Sequence, residues 1–181
     1  MVADECALQE DVVLKSIWYK RGIYPEVKSN RKYNTHSFFI AVNATPNTKE
    51  NITKGIYKGE TTIHDCDKQN SREAIKLLDK IKHRYFTKKK KKVLLFWDNA
   101  GFHKSKEIKE WLKINNPKKE MWLELANFPP YHPEFNPTEQ VIKISKDAVV
   151  KNNEKDFEDI QLEFFKYLVK TKFNITFVSR F

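Results

Sequence analysis

The chain has 181 residues and a formal net charge of +10, a length that suits one domain with its own hydrophobic core. The positive charge favours a polyanionic partner, although a basic protein without such a partner has the same composition. Two cysteines, Cys6 and Cys66, are too few for a disulfide framework. No apolar run approaches the roughly 20 residues of a membrane span. Composition therefore excludes membrane-spanning and disulfide-rich classes and predicts an intracellular, soluble protein in a reducing compartment.

The first part of the chain predicts strands. Residues 2–8 alternate weakly like a strand, although a frayed, charged terminus would look the same. Residues 12–19 and 37–44 have the β-branched and aromatic content of strands. Residues 45–68 are polar and contain turn-forming proline and glycine, which predicts a loop with at most a short strand.

The second part alternates helices and strands. Asn70 and Glu73 have capping-box spacing at the start of an apolar helical stripe. Further elements follow in chain order: a strand over 93–97, a helix from Ser105 that ends before Pro117, a strand over 122–126, and helices from Asn136-Pro137 and from Asp156. This pattern predicts an α/β domain with a mixed sheet covered by helices.

Three acidic residues stand out, and each has a structural alternative. Asp98 follows a wholly apolar strand, where α/β proteins place chemistry, but an Asx turn explains it equally well. Glu139 lies in the first turn of a predicted helix, and its spacing alone favours a capping box. Asp4 and Glu5 would point to opposite faces of a strand, so only one of them could reach a shared site.

Several basic residues are candidates for contacts with DNA. A run of five lysines could lie along phosphates or form a solvated turn: Lys88, Lys89, Lys90, Lys91 and Lys92. His103 and Lys104 lie close to Asp98 in sequence and could also contact DNA, although His103 could equally well only order the loop. His64 and Cys66 could supply two zinc ligands, but no second pair has suitable spacing.

Together these segments resemble the catalytic core of DDE-superfamily transposases, in particular the mariner-like insertion-sequence group. The resemblance covers about residues 2–150, and Asp4-Glu5 resembles the opening block of that family. The matching motifs are Asp98-Asn99-Ala100, His103-Lys104-Ser105, Pro129-Pro130-Tyr131, Pro133-Glu134, Asn136-Pro137 and Glu139.

The resemblance implies a ribonuclease H-like fold and a metal-dependent enzyme that cuts and joins DNA at mobile-element ends. Asp4, Asp98 and Glu139 match the three catalytic acids of the family, which would hold Mg²⁺, with Mn²⁺ able to substitute. Carboxylates, waters and substrate phosphate are the ligands that Mg²⁺ prefers. The expected partners are mobile-element ends, target DNA and a second copy of the chain. Two alternatives are a catalytically inactive DNA-binding or assembly module and a nuclease of the same fold without strand transfer.

We expect one catalytic domain over residues 1–181, with a first strand cut short because three residues precede Asp4. The helix-turn-helix domain of such transposases is expected to be absent and to come from a separate subunit or an upstream reading frame. The expected location is the nucleoid in a prokaryote and the nucleus in a eukaryote.

Overall fold

The computed structural model describes residues 1–10, 20–22, 34–45, 56–129, 136–149 and 156–176. The strands are β1 (Val2–Gln9), β2 (Thr35–Thr45), β3 (Ile56–Cys66), β4 (Val93–Trp97), β5 (Leu123–Asn127) and β6 (Phe173–Thr176). The α-helices are α1 (Ser71–Ile81), α2 (Lys106–Asn115), α3 (Pro137–Val149) and α4 (Phe157–Lys170). A π-helical turn covers Lys82–Thr87, and short 3₁₀ turns cover Gly101–Lys104 and Lys118–Glu120. No helix within these ranges is long and apolar enough to cross a membrane.

One mixed sheet organises the chain, with the strand order β5-β4-β1-β2-β3-β6. The strands β1, β2 and β3 are antiparallel neighbours, and β6 pairs antiparallel with β3. On the other side, β4 is parallel to both β1 and β5, and Val2 lies opposite Phe96. Two residues further along, Asp4 lies next to Asp98, so the beginning of β1 runs beside the end of β4.

Helices cover both faces of the sheet, and the alternation along β2 shows how. Phe39 and Ala41 pack into a core with residues of α1 and α2. Phe38 and Ile40, on the opposite face, pack into a second core with residues of α3 and α4. Successive side chains of a strand point to opposite faces, so a central strand with apolar residues at every position is buried on both sides. The predicted α/β class with helices flanking a mixed sheet is confirmed.

The prediction of a loop with a short strand at most is wrong over Ile56–Cys66, because β3 occupies these 11 residues; residues 46–55 lie outside the described ranges. Its glycine serves packing rather than a turn: a Cβ at Gly59 would lie 2.4 Å from Ile175 Cδ1 and 2.7 Å from Val42 Cγ1. The edge strand β6 was not predicted at all. Neither strand contains a continuous apolar run. The two strands pair with each other although they lie far apart in the sequence.

The other predicted elements compare well with the structure. Residues 2–8 belong to β1, so the alternative of a frayed terminus is wrong. The strands over 37–44, 93–97 and 122–126 are confirmed as β2, β4 and β5, and the four predicted helices are α1 to α4. Asn70 caps α1 by accepting hydrogen bonds from the backbone N–H groups of Arg72 and Glu73. The strand predicted over 12–19 lies outside the described residues.

Candidate active site

Asp4, Asp98 and the beginning of α3 come together where β4 ends beside β1. The link between β1 and α3 is Asn136, a buried residue. Its side-chain Oδ1 accepts a hydrogen bond from the N–H of Thr138 at 3.1 Å, and its Nδ2 donates to Asp4 Oδ2 at 2.8 Å. Asn136 therefore caps the helix and ties its first turn, which contains Glu139, to the carboxylate of Asp4.

The carboxylate of Asp4 shows that these acids lie within electrostatic reach of one another. Burial is the main cause that raises its pKa to about 7, and the neighbouring charge of Glu5 acts in the same direction. The charges of Glu139 and Asp98 raise it further, while a hydrogen bond from the N–H of Glu5 opposes part of the change. A cation at this position would relieve the repulsion between the acids.

Asp98 begins a tight turn that leaves half of its carboxylate open. Its Oδ1 accepts a hydrogen bond from the N–H of Ala100 at 2.9 Å, so the Asx turn suggested by the sequence is present. The same oxygen lies 3.0 Å from His103 Nδ1. The side chain is 49% exposed, and no described residue donates a hydrogen bond to Oδ2. Asp98 can therefore form the Asx turn and still bind a ligand, because the turn uses Oδ1 and leaves Oδ2 available.

Glu139 lies in the first turn of α3 with an exposed side chain. In the part of the chain that the structure describes, no hydrogen bond joins its carboxylate to the N–H of Asn136. The capping box is therefore not formed, and the side chain of Asn136 caps the helix instead. Partial burial raises the pKa of the Glu139 carboxyl. The charge of this carboxyl is also one of the causes that raise the pKa of Asp4.

His103 lies beneath this site rather than on its surface. Its side chain is 1% exposed, and its ring stacks on Trp97 with centroids 4.1 Å apart. Its Nε2 lies 2.9 Å from Glu5 Oε1. Because the ring has almost no exposed surface, the expectation that it contacts DNA is not supported, and a role in ordering the loop agrees with its position.

Sequence reasoning missed two residues of the site. Glu5 was treated as a competitor of Asp4, yet it faces the other side of β1 and contacts His103. Asn136 was recognised only as a helix cap, although it also donates to Asp4. The Asp-Glu pair at the start of an alternating strand was the available signal for Glu5. Nothing in the local sequence indicated the second contact of Asn136.

The basic candidates lie at different distances from the acids. Lys104 is exposed and adjacent to His103. The run from Lys88 to Lys92 is also exposed, but it precedes β4, whereas Asp98 follows that strand. At about 3.3 Å per residue, Lys92 and Asp98 are separated by about 20 Å along the strand. The structure therefore does not bring the lysine run to the acidic site.

The described ranges also contain another arrangement of possible metal ligands. One group of three has ligand atoms within 4.8 Å of one another, namely Glu5, Asp98 and His103. Its histidine could bind a cation only through an unprotonated ring nitrogen. Asp4, Asp98 and Glu139, all within the described ranges, do not form a group this close. The candidate zinc ligands show no such group, and His64 Nε2 instead lies 2.5 Å from Glu73 Oε2.

The family model described as DDE superfamily endonuclease matches residues 1–161, and the chain therefore belongs to that family. Comparison with solved structures gives the same fold at low sequence identity. The pre-cleavage Mos1 transpososome has a TM-score of 0.63 at 12% identity, covering 94% of this chain and 48% of that chain. The Mos1 transposase paired-end complex with the left transposon end has a TM-score of 0.62 at 12% identity, covering 94% and 47%.

A third solved structure is the catalytic domain of Mos1 mariner transposase, with a TM-score of 0.51, 12% identity and coverage of 94% of this chain and 69% of that one. These similarities confirm the predicted ribonuclease H-like fold. The chain spans about half the length of the Mos1 chains in the two DNA complexes. A comparison with curated protein sequences found no match. Residues 130–135 of the proline-rich motif lie outside the described residues.

Proposed function

We propose that this chain is the catalytic domain of a transposase that cuts DNA at mobile-element ends and joins it to target DNA. The observation that carries the proposal is the way β1, β4 and α3 are linked: the register of β1 and β4 sets Asp4 beside Asp98, and Asn136 ties Asp4 to the helix turn that contains Glu139. The raised pKa of Asp4, to which both other acids contribute, supports a shared site. Membership of the DDE endonuclease family supports the reaction class.

The donor set fits hard divalent cations. Asp4, Asp98 and Glu139 offer carboxylate oxygens, which suit Mg²⁺, with Mn²⁺ as a substitute. When bound, two such ions activate a water or a 3′-hydroxyl and stabilise the leaving oxygen of a phosphodiester. Paired-end complexes of Mos1 have been solved with Mn and with Mg, which supports the same choice of metal here.

The protein contributes by holding each carboxylate in place. The N–H of Glu5 donates to Asp4 Oδ1 at 2.9 Å and Asn136 Nδ2 donates to Asp4 Oδ2, so this side chain has one orientation. Asp98 is fixed through Oδ1 only. Such fixed ligands remove the need to reorganise the site when the reacting phosphate arrives.

The positive charge of the chain supports DNA as the substrate. We propose that Lys104 contacts phosphates near the cleaved bond and that the lysine run from Lys88 to Lys92 contacts the same duplex further away. One turn of B-DNA covers about 34 Å, so a single duplex can reach both positions. The proposal also includes a homodimer and a helix-turn-helix element supplied by a separate subunit or reading frame, which would recognise the element ends.

Two isosteric substitutions test the catalytic proposal. Asp98→Asn keeps the shape but removes the charge that holds a cation, so metal-dependent nicking of supercoiled plasmid should fall to background. Glu139→Gln should do the same without loss of thermal stability, because no hydrogen bond between its carboxylate and the helix start is present among the described residues. Glu124→Gln, at an exposed acid on β5, is the charge-matched control and should nick like the parent.

The outcomes separate the three readings of the chain. Activity that survives Asp98→Asn would contradict the proposal and favour an inactive module with a contaminating nuclease. Nicking without joining of a pre-cut end to target DNA would favour a nuclease of the same fold.

A further inference from the structure

We propose that Glu5 and His103 are positioning residues that hold the carboxylate of Asp98 in the orientation the reaction needs. The inference rests on the proposed function, since it concerns the same site. It assigns roles to two buried groups on the face of the sheet opposite Asp4. Neither would touch the substrate, and both would act through Asp98.

The geometry is a continuous chain of polar contacts across the end of β4, in which His103 Nδ1 is hydrogen-bonded to the carbonyl oxygen of Asp98. Glu5 Oε1 lies 2.9 Å from His103 Nε2. On the other side of the ring, Nδ1 lies 3.0 Å from Asp98 Oδ1 and 3.3 Å from the carbonyl oxygen of the same residue. One imidazole therefore joins a residue of β1 to both the side chain and the backbone of Asp98.

The ring itself has little freedom to turn. It lies nearly parallel to the indole of Trp97, with an interplanar angle of 6°. Phe102 meets it edge-on, with ring centroids 4.5 Å apart and an angle of 71°. Two aromatic neighbours and two polar partners thus fix the orientation of His103, and this in turn fixes Asp98 Oδ1.

Orientation of a metal ligand by such a partner has a measurable effect. Loss of a partner that holds a metal-binding side chain typically costs about 10- to 100-fold in metal affinity or activity. With Oδ1 hydrogen-bonded to the N–H of Ala100 and only 3.0 Å from His103 Nδ1, Oδ2 is the oxygen left for a cation. Without the histidine, the 49% exposed side chain of Asp98 would sample other rotamers.

Two substitutions of His103 separate positioning from simple packing. In His103→Asn the amide nitrogen can occupy the place of Nδ1 and still donate to Asp98. In His103→Gln it can occupy the place of Nε2 and donate to Glu5 only. Both remove the stacking on Trp97, so we expect similar losses of thermal stability. We expect nicking activity to fall about 10- to 100-fold in His103→Gln and clearly less in His103→Asn. His83→Gln, at an exposed histidine of the π-helical turn, is the matched control.

The same series distinguishes the two proposals. If Asp98→Asn still nicks, the proposed function fails. If Asp98→Asn is inactive but His103→Gln nicks as well as the parent or better than His103→Asn, the positioning role is overturned while the function stands. An activity loss that follows the melting temperature in both variants would also overturn it.

A second readout requires no activity. The rise in melting temperature on adding millimolar Mn²⁺ should be smaller in His103→Gln than in His103→Asn, because only the asparagine variant still has a donor to Asp98. Equal metal-dependent rises in the two variants would contradict the positioning role.

Discussion

At the scale of single residues, the site concentrates negative charge in a basic chain. Asp4 and Glu5 are consecutive in β1, so their carboxylates leave the sheet on opposite faces. Glu5 lies 2.9 Å from a ring nitrogen of His103, whereas Asp4 is held by the uncharged amide of Asn136. The repulsion between Asp4 and the neighbouring carboxylates therefore remains, and a divalent cation would remove it.

Replacement of Asp4 by asparagine should weaken the pH dependence of stability in the metal-free protein. The ordinary pKa of this carboxyl is 3.8, and it is raised to about 7 in the fold. A raised carboxyl pKa lowers the free energy of unfolding as pH increases between these two values. In EDTA, the melting temperature of the parent should fall over this pH range, and that of Asp4→Asn should fall less, by about 2–4 °C for each kcal/mol of repulsion removed. Asparagine also costs one hydrogen bond at every pH, because both Asp4 oxygens accept and the amide replaces one of them with a donor.

Metal should stabilise the parent more than the variant. Millimolar Mg²⁺ or Mn²⁺ should raise the melting temperature of the parent by ligand linkage and leave Asp4→Asn nearly unchanged. Parallel pH profiles in EDTA would show that Asp4 carries no such cost, and equal shifts on adding metal would show that Asp4 binds no cation.

The candidate site residues that belong to a sequence motif could be predicted, whereas the contacts between residues far apart in the chain could not. The motif residues Asp98, Asn136 and Glu139 were all singled out from local patterns. The bridge between Glu5 and His103 joins positions 98 residues apart, and no local pattern records such a pairing. The same holds for the contact of Asn136 with Asp4, which spans 132 residues.

At the scale of elements, apolar strands and capped helices were predictable and polar strands were not. The strand β4 is apolar throughout, and α1 begins at a capping asparagine. By contrast, β3 has the sequence IYKGETTIHDC, in which the glycine and the charged residues are of types depleted from strands. Its assignment depends on pairing with β2 and β6 along both edges, which is a property of the whole sheet.

The close packing around Gly59 gives a test of this pairing. A methyl group there would meet Ile175 Cδ1 at 2.4 Å and Val42 Cγ1 at 2.7 Å. Overpacking of this kind typically costs about 1–3 kcal/mol, so Gly59→Ala should lower the free energy of unfolding by that amount in urea titrations. Ile175→Val removes the nearer of the two atoms, and the double variant should be more stable than the sum of the single effects predicts.

Gly101→Ala is the control, because no heavy atom lies within 4 Å of a Cβ at that position. Additive effects of Gly59→Ala and Ile175→Val would contradict the predicted contact between β3 and β6.

At the scale of the whole molecule, charge is separated along β4. The strand ends at the acidic site, while five lysines precede it about 20 Å away. Opposite ends of one central strand thus present a site for cations and a surface for phosphates. A duplex held by the lysines would be anchored away from the acids, so binding and cleavage would depend on different residues.

Neutralisation of part of the lysine run should therefore change how salt affects DNA binding. We choose Lys88, Lys91 and Lys92, because Lys89 lies over the ring of Tyr85 and Lys90 has a positive φ of 52°. Their replacement by glutamine should reduce the slope of log affinity against log salt by up to about 0.9 for each lost phosphate contact. Fluorescence anisotropy with a labelled duplex across a KCl series measures this slope.

The control removes the same charge from Lys166, Lys170 and Lys172, which are exposed on and after α4. An equal change of slope in both variants would mean that net charge, and not the position of the lysine run beside β4, governs the affinity for DNA.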